Sequence, residues 1–196
     1  MATANKIIQR KNRELEIAYK EVEKLSKTDE LTQLSNRRDM IEKVTAEINR
    51  FKRNKKEFVF ILVDIDDFKK INDTHGHDMG DYVLEELAKI MRQVSREIDV
   101  LARWGGEEFL IMLPETNLDG GIKFCEKLKN SILENIFHFN NREISITITQ
   151  GITVFNGEYD SIDPYIKFAD DALYKGKNCG KNTIITKLPE KVNERS

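Results

Sequence analysis

An uninterrupted apolar run, FVFILVDI at residues 58–65, constrains the fold of this chain more than any other segment. It is rich in β-branched residues and carries no polar side chain before Asp64, so it lacks the alternation of a strand with one solvent-exposed face. Such a run predicts a strand that is buried on both faces. The chain must therefore supply other elements to cover two sides of one sheet.

Other segments of the chain can form those layers. Apolar residues recur at helical spacing in four places, which are 40–51, 79–94, 122–132 and 166–173. Further strands are predicted at 100–104 and 108–113, on either side of a two-glycine turn, and at 143–155 and 182–186. The order of these elements predicts an α+β fold, an α/β sandwich in which helices flank a mixed sheet of roughly five strands.

The N-terminal segment, residues 1–27, is predicted to be separate from a globular domain at 28–188 and a short tail at 189–196. It is polar, with apolar residues every seven positions from Ile8, and Lys11 interrupts this stripe. A short coiled coil and a solvated linker helix are equally compatible with the pattern. In either case we expect a connector to a sensory domain outside this chain.

The composition argues against two classes of partner. The chain has 32 basic and 34 acidic residues and a net charge of −2, so no basic field predicts binding to a nucleic-acid polymer. No apolar run is long enough for a membrane span or a signal peptide, so we expect no membrane contact and a cytoplasmic location. The two cysteines, Cys125 and Cys179, lack metal-type spacing and fit a reducing compartment.

Acidic residues cluster at the end of the buried strand, at Asp64, Asp66, Asp67 and Asp73. An acid that continues a buried strand is unfavourable unless it has a partner or a cation. Asp66 or Asp67 could instead cap the following helix, where Asp is favoured near the N-terminus. This explanation suits Asp64 less well, because Asp64 belongs to the strand.

A second acidic pair, Glu107 and Glu108, follows Gly105 and Gly106 in the predicted hairpin. If the hairpin pairs with the strand that contains Asp64, these carboxylates could share a hard cation such as Mg²⁺, with phosphate oxygens completing its shell. The glycines would let the backbone approach phosphates closely. Nearby residues that could hold phosphate charge are Lys69 and Lys70. The residues alone leave surface decoration and metal–nucleotide chemistry both open.

Four motifs, in order along the chain, resemble the GGDEF family of diguanylate cyclases. They are TDELTQLSNRR at 28–38, DIDDFKKINDTHGHDMGD at 64–81, WGGEEF at 104–109 and ADDALYKGKNCGKN at 169–182. The hexad is the GGEEF variant of the motif that names the family, and the resemblance extends over about residues 28–186. It implies a fold similar to the palm of polymerases and nucleotide cyclases, in agreement with the predicted element order.

The resemblance implies that the chain condenses two GTP into the bacterial second messenger cyclic di-GMP, with release of two pyrophosphates. Each domain would hold one GTP, and a homodimer would let each 3′-hydroxyl attack the α-phosphate held by the partner domain. The implied cofactor is Mg²⁺ or Mn²⁺, two ions per active site. Two alternatives remain: a degenerate domain that binds GTP or cyclic di-GMP without turnover, and a cyclase that also accepts ATP.

Each site residue receives a role from its motif position in this resemblance. The metal ligands would be the carboxylates of Asp64 and Glu107 and the carbonyl of Ile65, with Glu108 as a supporting contact. Glu107 would also help to deprotonate the 3′-hydroxyl. The remaining residues implied to contact GTP are Asn72 and Asp81 at guanine, Lys69, Lys177 and Lys181 at the phosphates, and Phe68, Gly105 and Gly106. From the residues alone, Phe68 is also a candidate for the core.

The segment REID, residues 96–99, lies at the family's offset upstream of the hairpin. The resemblance implies that Arg96 and Asp99 bind product dimers and inhibit the enzyme. Taken alone, the spacing fits an i,i+3 ion pair at a helix end equally well. Arg103 is interpreted as a structural part of the hairpin.

The chain departs from the family pattern at a few positions. Lys181 stands where the family usually has Arg, which removes the bidentate fork for phosphate. Gln150 introduces a polar side chain into a predicted strand. His75 and His77 resemble a metal pair but are interpreted as part of the family's loop, since no third His or Cys lies nearby in sequence.

Overall fold

The apolar run at 58–65 forms an inner strand of a mixed sheet in the computed structural model, which describes residues 11–13, 27–140 and 142–189. The strands are β1 (Ser35–Asn36), β2 (Phe58–Ile65), β3 (Val100–Gly105), β4 (Glu108–Leu113), β5 (Phe137–Phe139), β6 (Arg142–Ile144), β7 (Ile148–Phe155) and β8 (Ile184–Thr186). The helices of the globular part are α1 (Arg37–Asn54), α2 (Phe68–His75), α3 (His77–Val94), α4 (Leu118–Leu133) and α5 (Asp163–Asn178).

Six strands form one sheet in the order β1-β3-β4-β2-β7-β8, and β5 pairs with β6 in a separate hairpin. β2 is antiparallel to β4 and β7, whereas β1 and β8 join by parallel pairing, so the sheet is mixed as predicted. The sixth strand was not expected, because the two residues of β1 are too few to show a strand period. The predicted strand at 143–155 divides into β6 and β7.

Alternate residues of β2 enter two cores, one on each face of the sheet. Phe58, Phe60 and Leu62 pack with α1 and α5, through residues that include Met40, Val44, Tyr165 and Ala169. Val59, Ile61 and Val63 pack with α3 and α4, through residues that include Val83, Leu87 and Leu128. The sandwich follows directly from a strand with two apolar faces, each of which needs a helical layer to exclude water.

Close packing of α5 on β7 determines the position of the C-terminal end of α5, which carries Lys177. A Cβ at Gly151 would meet the carbonyl oxygen of Ala169 at 2.0 Å, so only glycine allows this approach. The same contact brings the C-terminal end of α5 to the end of β2, where Lys177 reaches the backbone carbonyl of Ile65 at 3.2 Å.

Gln150, the polar residue expected in a strand, is fully buried in β7. Its Nε2 donates to the backbone carbonyl of Cys125 in α4 at 3.0 Å. The side chain of Cys125 is itself buried. This hydrogen bond satisfies one end of the amide and ties α4 to the sheet.

Most of the N-terminal segment lies outside the described residues, so its coiled-coil and linker interpretations stay predictions. Residues 11–13 are helical, as expected. The boundaries of the globular domain and the tail likewise stay predictions. Within the described part of the chain, no helix combines the length and apolar character needed to cross a membrane.

Candidate active site

Asp64 and Glu108 lie opposite each other on neighbouring strands. They are direct partners in the antiparallel register of β2 and β4, so their side chains leave the same face of the sheet. Glu107 precedes Glu108 in the turn between β3 and β4 and is half-buried. The hairpin therefore pairs with the strand that contains Asp64, and this pairing brings together acids from two different motifs.

Burial and neighbouring carboxylates raise the pKa values of Asp64 and Glu108. Burial raises the pKa of Asp64 above its ordinary value, and the charge of Glu107 adds to this, while Lys177 offsets part of the effect. Burial likewise raises the pKa of Glu108, with further contributions from Asp64, Asp170 and Glu107. A cation placed among these groups would lower both pKa values, because it favours the charged forms.

The ammonium group of Lys177 contacts oxygens of Asp64 and Ile65, which were predicted to bind a metal, and an oxygen of Asp66. Its Nζ lies 2.5 Å from Oδ1 of Asp64 and 2.8 Å from Oδ1 of Asp66. It also donates to the carbonyl oxygen of Ile65 at 3.2 Å. These hard oxygen donors, arranged around one positive charge, are of the type that Mg²⁺ and Mn²⁺ prefer.

Side chains alone do not complete a metal shell here. Among the residues that the structure describes, no three His, Cys, Asp or Glu side chains converge on one point, and this includes His75 and His77. A divalent ion at Asp64 would therefore need the Ile65 carbonyl and further oxygens from a ligand or water. Mg²⁺ sites that bind nucleotides use such mixed shells of a few carboxylates, phosphates and water.

Asp66 does not take the helix-capping role that the sequence left open for it. It is buried, and its carboxylate accepts hydrogen bonds from side chains in and just before β7, from a side chain of α5 and from one backbone N–H. The donors are Thr147 Oγ1 and Thr149 Oγ1, both at 2.7 Å, Lys177 Nζ at 2.8 Å and the N–H of Asn182 at 2.9 Å. Burial alone would raise the pKa of Asp66, but these donors outweigh it and hold the pKa below the usual range.

Asp67 does not cap α2 with its side chain either. It occupies the N-cap position with a left-handed backbone, φ 57°, and its carboxylate pairs with Lys181 at 2.6 Å. The first turn of α2 is therefore left without a side-chain cap. Its N–H groups and the exposed Lys69 lie four to six residues beyond Asp64, which is a suitable arrangement for an anion.

The glycines of the hairpin, Gly105 and Gly106, leave open space beside the turn, and neither is required by an unusual backbone conformation. Neither Gly105 nor Gly106 has a positive φ. A Cβ at Gly106 would meet nothing within 4 Å, and one at Gly105 would meet only Oε2 of Glu108 at 3.6 Å. Arg103 donates from Nε to the carbonyl of Gly106 at 3.0 Å, which supports its interpretation as a structural part of the hairpin.

Asn72 and Asp81, the predicted guanine contacts, are brought together by the packing of α2 on α3. Oδ1 of Asn72 is buried without a hydrogen-bond partner and lies directly over Gly80, the residue before Asp81. Asp81 itself is exposed. Phe68, also predicted to contact GTP, has a buried side chain in the core, so only its backbone faces the anion-binding end of α2.

Arg96 and Asp99 form a closed pair in the turn that follows α3. The guanidinium donates to Asp99 through Nη2 at 2.7 Å and through Nε at 3.1 Å, and the backbone N–H of Arg96 donates to the same carboxylate at 2.7 Å. Nη2 also reaches Thr116, just beyond the C-terminal end of β4. This turn therefore lies at the opposite end of β4 from Glu108, roughly 17 Å along the strand.

Comparison with known proteins shows what this chain is similar to. Curated relatives include diguanylate cyclase DgcP of Pseudomonas aeruginosa, which is 40% identical over 157 residues covering 80% of this chain. The chain spans between 23% and 37% of the length of three such relatives.

Solved structures show the same fold. The active GGEEF domain of a diguanylate cyclase from Vibrio cholerae is 34% identical, with a TM-score of 0.73 over 79% of this chain and 97% of that domain. The GGDEF domain of DgcB from Caulobacter crescentus, in complex with c-di-GMP, is 27% identical, with a TM-score of 0.78 over 82% of this chain and 92% of that one. The family described as diguanylate cyclase, GGDEF domain, matches residues 26–183. The chain therefore belongs to the GGDEF domain family.

Proposed function

We propose that this chain is a diguanylate cyclase that condenses two GTP into cyclic di-GMP and two pyrophosphates. In each half-reaction a 3′-hydroxyl oxygen bonds to the α-phosphorus of the other GTP, the bond to pyrophosphate breaks and the hydroxyl proton leaves. The observation that carries the proposal is the pairing of Asp64 with Glu108 on adjoining strands, with Glu107 beside them in the turn and Lys177 at Asp64. The likeness to an active GGEEF domain of Vibrio cholerae supports it.

The carboxylate cluster is the proposed site for divalent metal, two Mg²⁺ or Mn²⁺ ions per active site. The residues that would hold them are Asp64, Glu107, the carbonyl of Ile65 and, as a supporting contact, Glu108. When bound, such ions supply positive charge that neutralises the triphosphate, which is a major contribution in phosphoryl transfer. Glu107 would in addition accept the proton of the 3′-hydroxyl. Asp64 and Glu108 lie in strands, whereas Glu107 lies in the turn between β3 and β4.

The positive groups around Asp64 are the proposed triphosphate site. Lys177 and Lys181 approach it from the end of α5 and the turn beyond, and Lys69 from the first turn of α2. The uncapped N–H groups of α2, at Phe68, add donors that favour an anion. The space at Gly105 and Gly106 would let the backbone of the turn approach the nucleotide.

Asn72 and Asp81 are the proposed contacts to guanine. The carboxylate of Asp81 can accept from N1–H and from the N2 amino group, a donor pair that adenine does not present. The buried, unpartnered Oδ1 of Asn72 is consistent with an amide held for a ligand rather than for packing alone. We therefore expect GTP to be selected over ATP.

Arg96 and Asp99 are the proposed site for inhibition by cyclic di-GMP. The carboxylate is almost completely buried, with 1% of the side chain exposed, whereas 53% of the arginine side chain is exposed. The pair could therefore hold the guanidinium in place while its outer edge binds the phosphates or guanine of the product.

We further propose that two copies act together and that this unit is the catalytic part of a larger cytoplasmic protein. One domain provides one carboxylate cluster, while the reaction joins two GTP molecules. The catalytic domain would comprise residues 28–188, and an N-terminal sensory or receiver domain would control it through the segment 1–27. This chain spans only 23% to 37% of the length of three relatives, and this supports the presence of other domains.

Identification of the product is the direct test of this function. The chain is incubated with GTP and Mg²⁺ across a range of enzyme concentrations, and products are separated by chromatography and identified by mass. We expect cyclic di-GMP, formed at a rate that rises faster than linearly until dimers saturate. Binding of GTP without product, under conditions in which an active cyclase works, would instead indicate a sensory module and would contradict catalysis.

A further inference from the structure

The buried carboxylate of Asp66 connects three parts of the chain that carry the proposed phosphate contacts. It lies between the end of β2 and the start of α2 and is 5% exposed. Its Oδ1 accepts from Lys177 at 2.8 Å, and its Oδ2 accepts from the backbone N–H of Asn182 at 2.9 Å. One side chain therefore contacts both the end of α5 and the turn that follows it.

The turn that Asp66 holds has an unusual backbone. Gly180, Lys181 and Asn182 have φ values of 108°, 62° and 45°, so three consecutive residues lie in the left-handed region. This region is unfavourable for Lys, although Asn tolerates it, and three such residues in a row persist only where the surroundings hold them. The hydrogen bond from Asn182 to Asp66 is one such restraint, and the ion pair of Lys181 with Asp67 is another.

Two threonines hold the carboxylate from the other side. Thr147 donates to Oδ2 and Thr149 to Oδ1, each at 2.7 Å, and Thr149 is fully buried. Each oxygen of Asp66 therefore has one hydroxyl donor and one donor from the 177–182 segment. A carboxylate with four donors in this arrangement has a single orientation, and it transmits that orientation to the lysine.

We propose that Asp66 is a positioning residue for triphosphate binding, which acts by holding Lys177 and the turn at 180–182. This inference rests on the proposed function, because it assigns the two lysines to the phosphates of GTP. Asp66 itself would not contact the nucleotide, since its oxygens already have four partners within the protein. Its removal should weaken binding of the phosphates and leave binding of guanosine unchanged.

The test compares two ligands on the variant Asp66→Asn. Affinities for the α,β-methylene analogue of GTP, which cannot release pyrophosphate, and for guanosine are measured by calorimetry or NMR titration with Mg²⁺ present. We expect affinity for the analogue to fall about 10- to 100-fold, the usual loss for a charge-assisted hydrogen bond. Guanosine affinity should stay within about twofold of the wild type. Asp171→Asn is the matched control, because Asp171 also binds a lysine at 2.6 Å, but away from the site.

Each outcome decides the inference. An equal loss for both ligands would show a general structural role, and no loss would show that the lysines do not need Asp66; either result overturns it. If Asp66→Asn does not fold, Thr147→Val is the second variant, because it removes one donor to Asp66 with little change of shape. It should lower the affinity for the analogue by a smaller factor and leave the affinity for guanosine unchanged. Failure of the wild-type chain to bind the analogue would contradict the proposed function instead.

Discussion

Asp64 and Glu108 are cross-strand partners in the antiparallel pairing of β2 with β4, so two acids stand opposite each other on one face of the sheet. Like charges in this relationship normally destabilise a sheet. Here the pKa values of both groups are raised, first by burial and then by neighbouring acids. Lys177 compensates only part of this effect at Asp64. An arrangement that is unfavourable for folding and concentrated at one place is typical of a functional site.

Replacement of Glu107 should separate catalysis from folding. Glu107→Gln keeps the size of the side chain but removes a metal ligand and proton acceptor, so we expect kcat to fall by about 10²- to 10⁴-fold. The melting temperature should be unchanged, because the side chain is half-buried in a turn. Initial rates of cyclic di-GMP formation and thermal unfolding provide the two measurements, with Glu126→Gln on the exposed face of α4 as control. Full activity would remove Glu107 from the mechanism.

Glu108 should reduce the stability of the metal-free protein as the pH rises. Because burial raises its pKa from the ordinary 4.5, the folded state holds this proton more tightly than the unfolded state does. The protonated form of Glu108 therefore stabilises the folded state fully below about pH 4.5. This stabilisation is lost as the pH rises through the higher pKa that Glu108 has in the folded state.

The variant Glu108→Gln should accordingly gain stability relative to the wild type as the pH increases from about 4.5 to neutrality. Urea unfolding at several pH values, in the presence of a chelator, measures this difference in the free energy of unfolding. Glu126→Gln, at an exposed position of α4, is the control. A difference that is independent of pH would contradict the assigned cause.

Removal of Arg96 tests the inhibitory site. Arg96→Ala should raise the concentration of cyclic di-GMP that halves the rate by at least about tenfold, because a charged donor to the product is lost. Stability should also fall by about 1–3 kcal/mol, since the buried carboxylate of Asp99 retains only the backbone N–H as a donor from this residue. Rates with added product provide the measurement, and the exposed Arg53→Ala is the control. Unchanged inhibition would leave the pair a structural feature of the turn.

A methyl group at Gly80 should displace a guanine contact. The added Cβ in Gly80→Ala would lie 1.9 Å from Oδ1 of Asn72, so the amide must move. Because Ala is favoured over Gly in a helix by about 1 kcal/mol, α3 itself gives no reason for a loss. We expect a higher KM for GTP with little change in kcat.

A double-mutant cycle then identifies the route of this effect. If the clash acts through Asn72, the variant Gly80→Ala/Asn72→Ala should have the same KM for GTP as Asn72→Ala alone. Additive increases in KM would mean that Gly80→Ala perturbs the site in another way, for example through Phe68, whose ring lies 3.2 Å from the added Cβ.

Local patterns in the sequence predicted most of the fold. The two-sided strand at 58–65, the apolar spacing of the main helices and the hairpin around Gly105 were all confirmed, because a period of 2 or 3.6 residues is visible within a short window. β1 was not predicted, since two residues show no period. The site residues were predicted mainly from motifs. The structure pairs Asp64 with Glu108 and places Lys177 beside Asp64, while the roles assigned to these residues stay predictions.

Asp66 marks the limit of this reasoning. By itself the sequence determined that acids follow a buried strand and precede a helix, and helix capping was the nearest local use for them. The tertiary structure decided that Asp66 instead binds Thr147, Thr149, Lys177 and Asn182, which lie 81 to 116 positions away. Local propensity carries no information on partners at such separations, because they meet only when β7 pairs with β2 and α5 packs across both. Likewise the pairing of β2 with β4, and not the motif, placed Glu108 directly opposite Asp64.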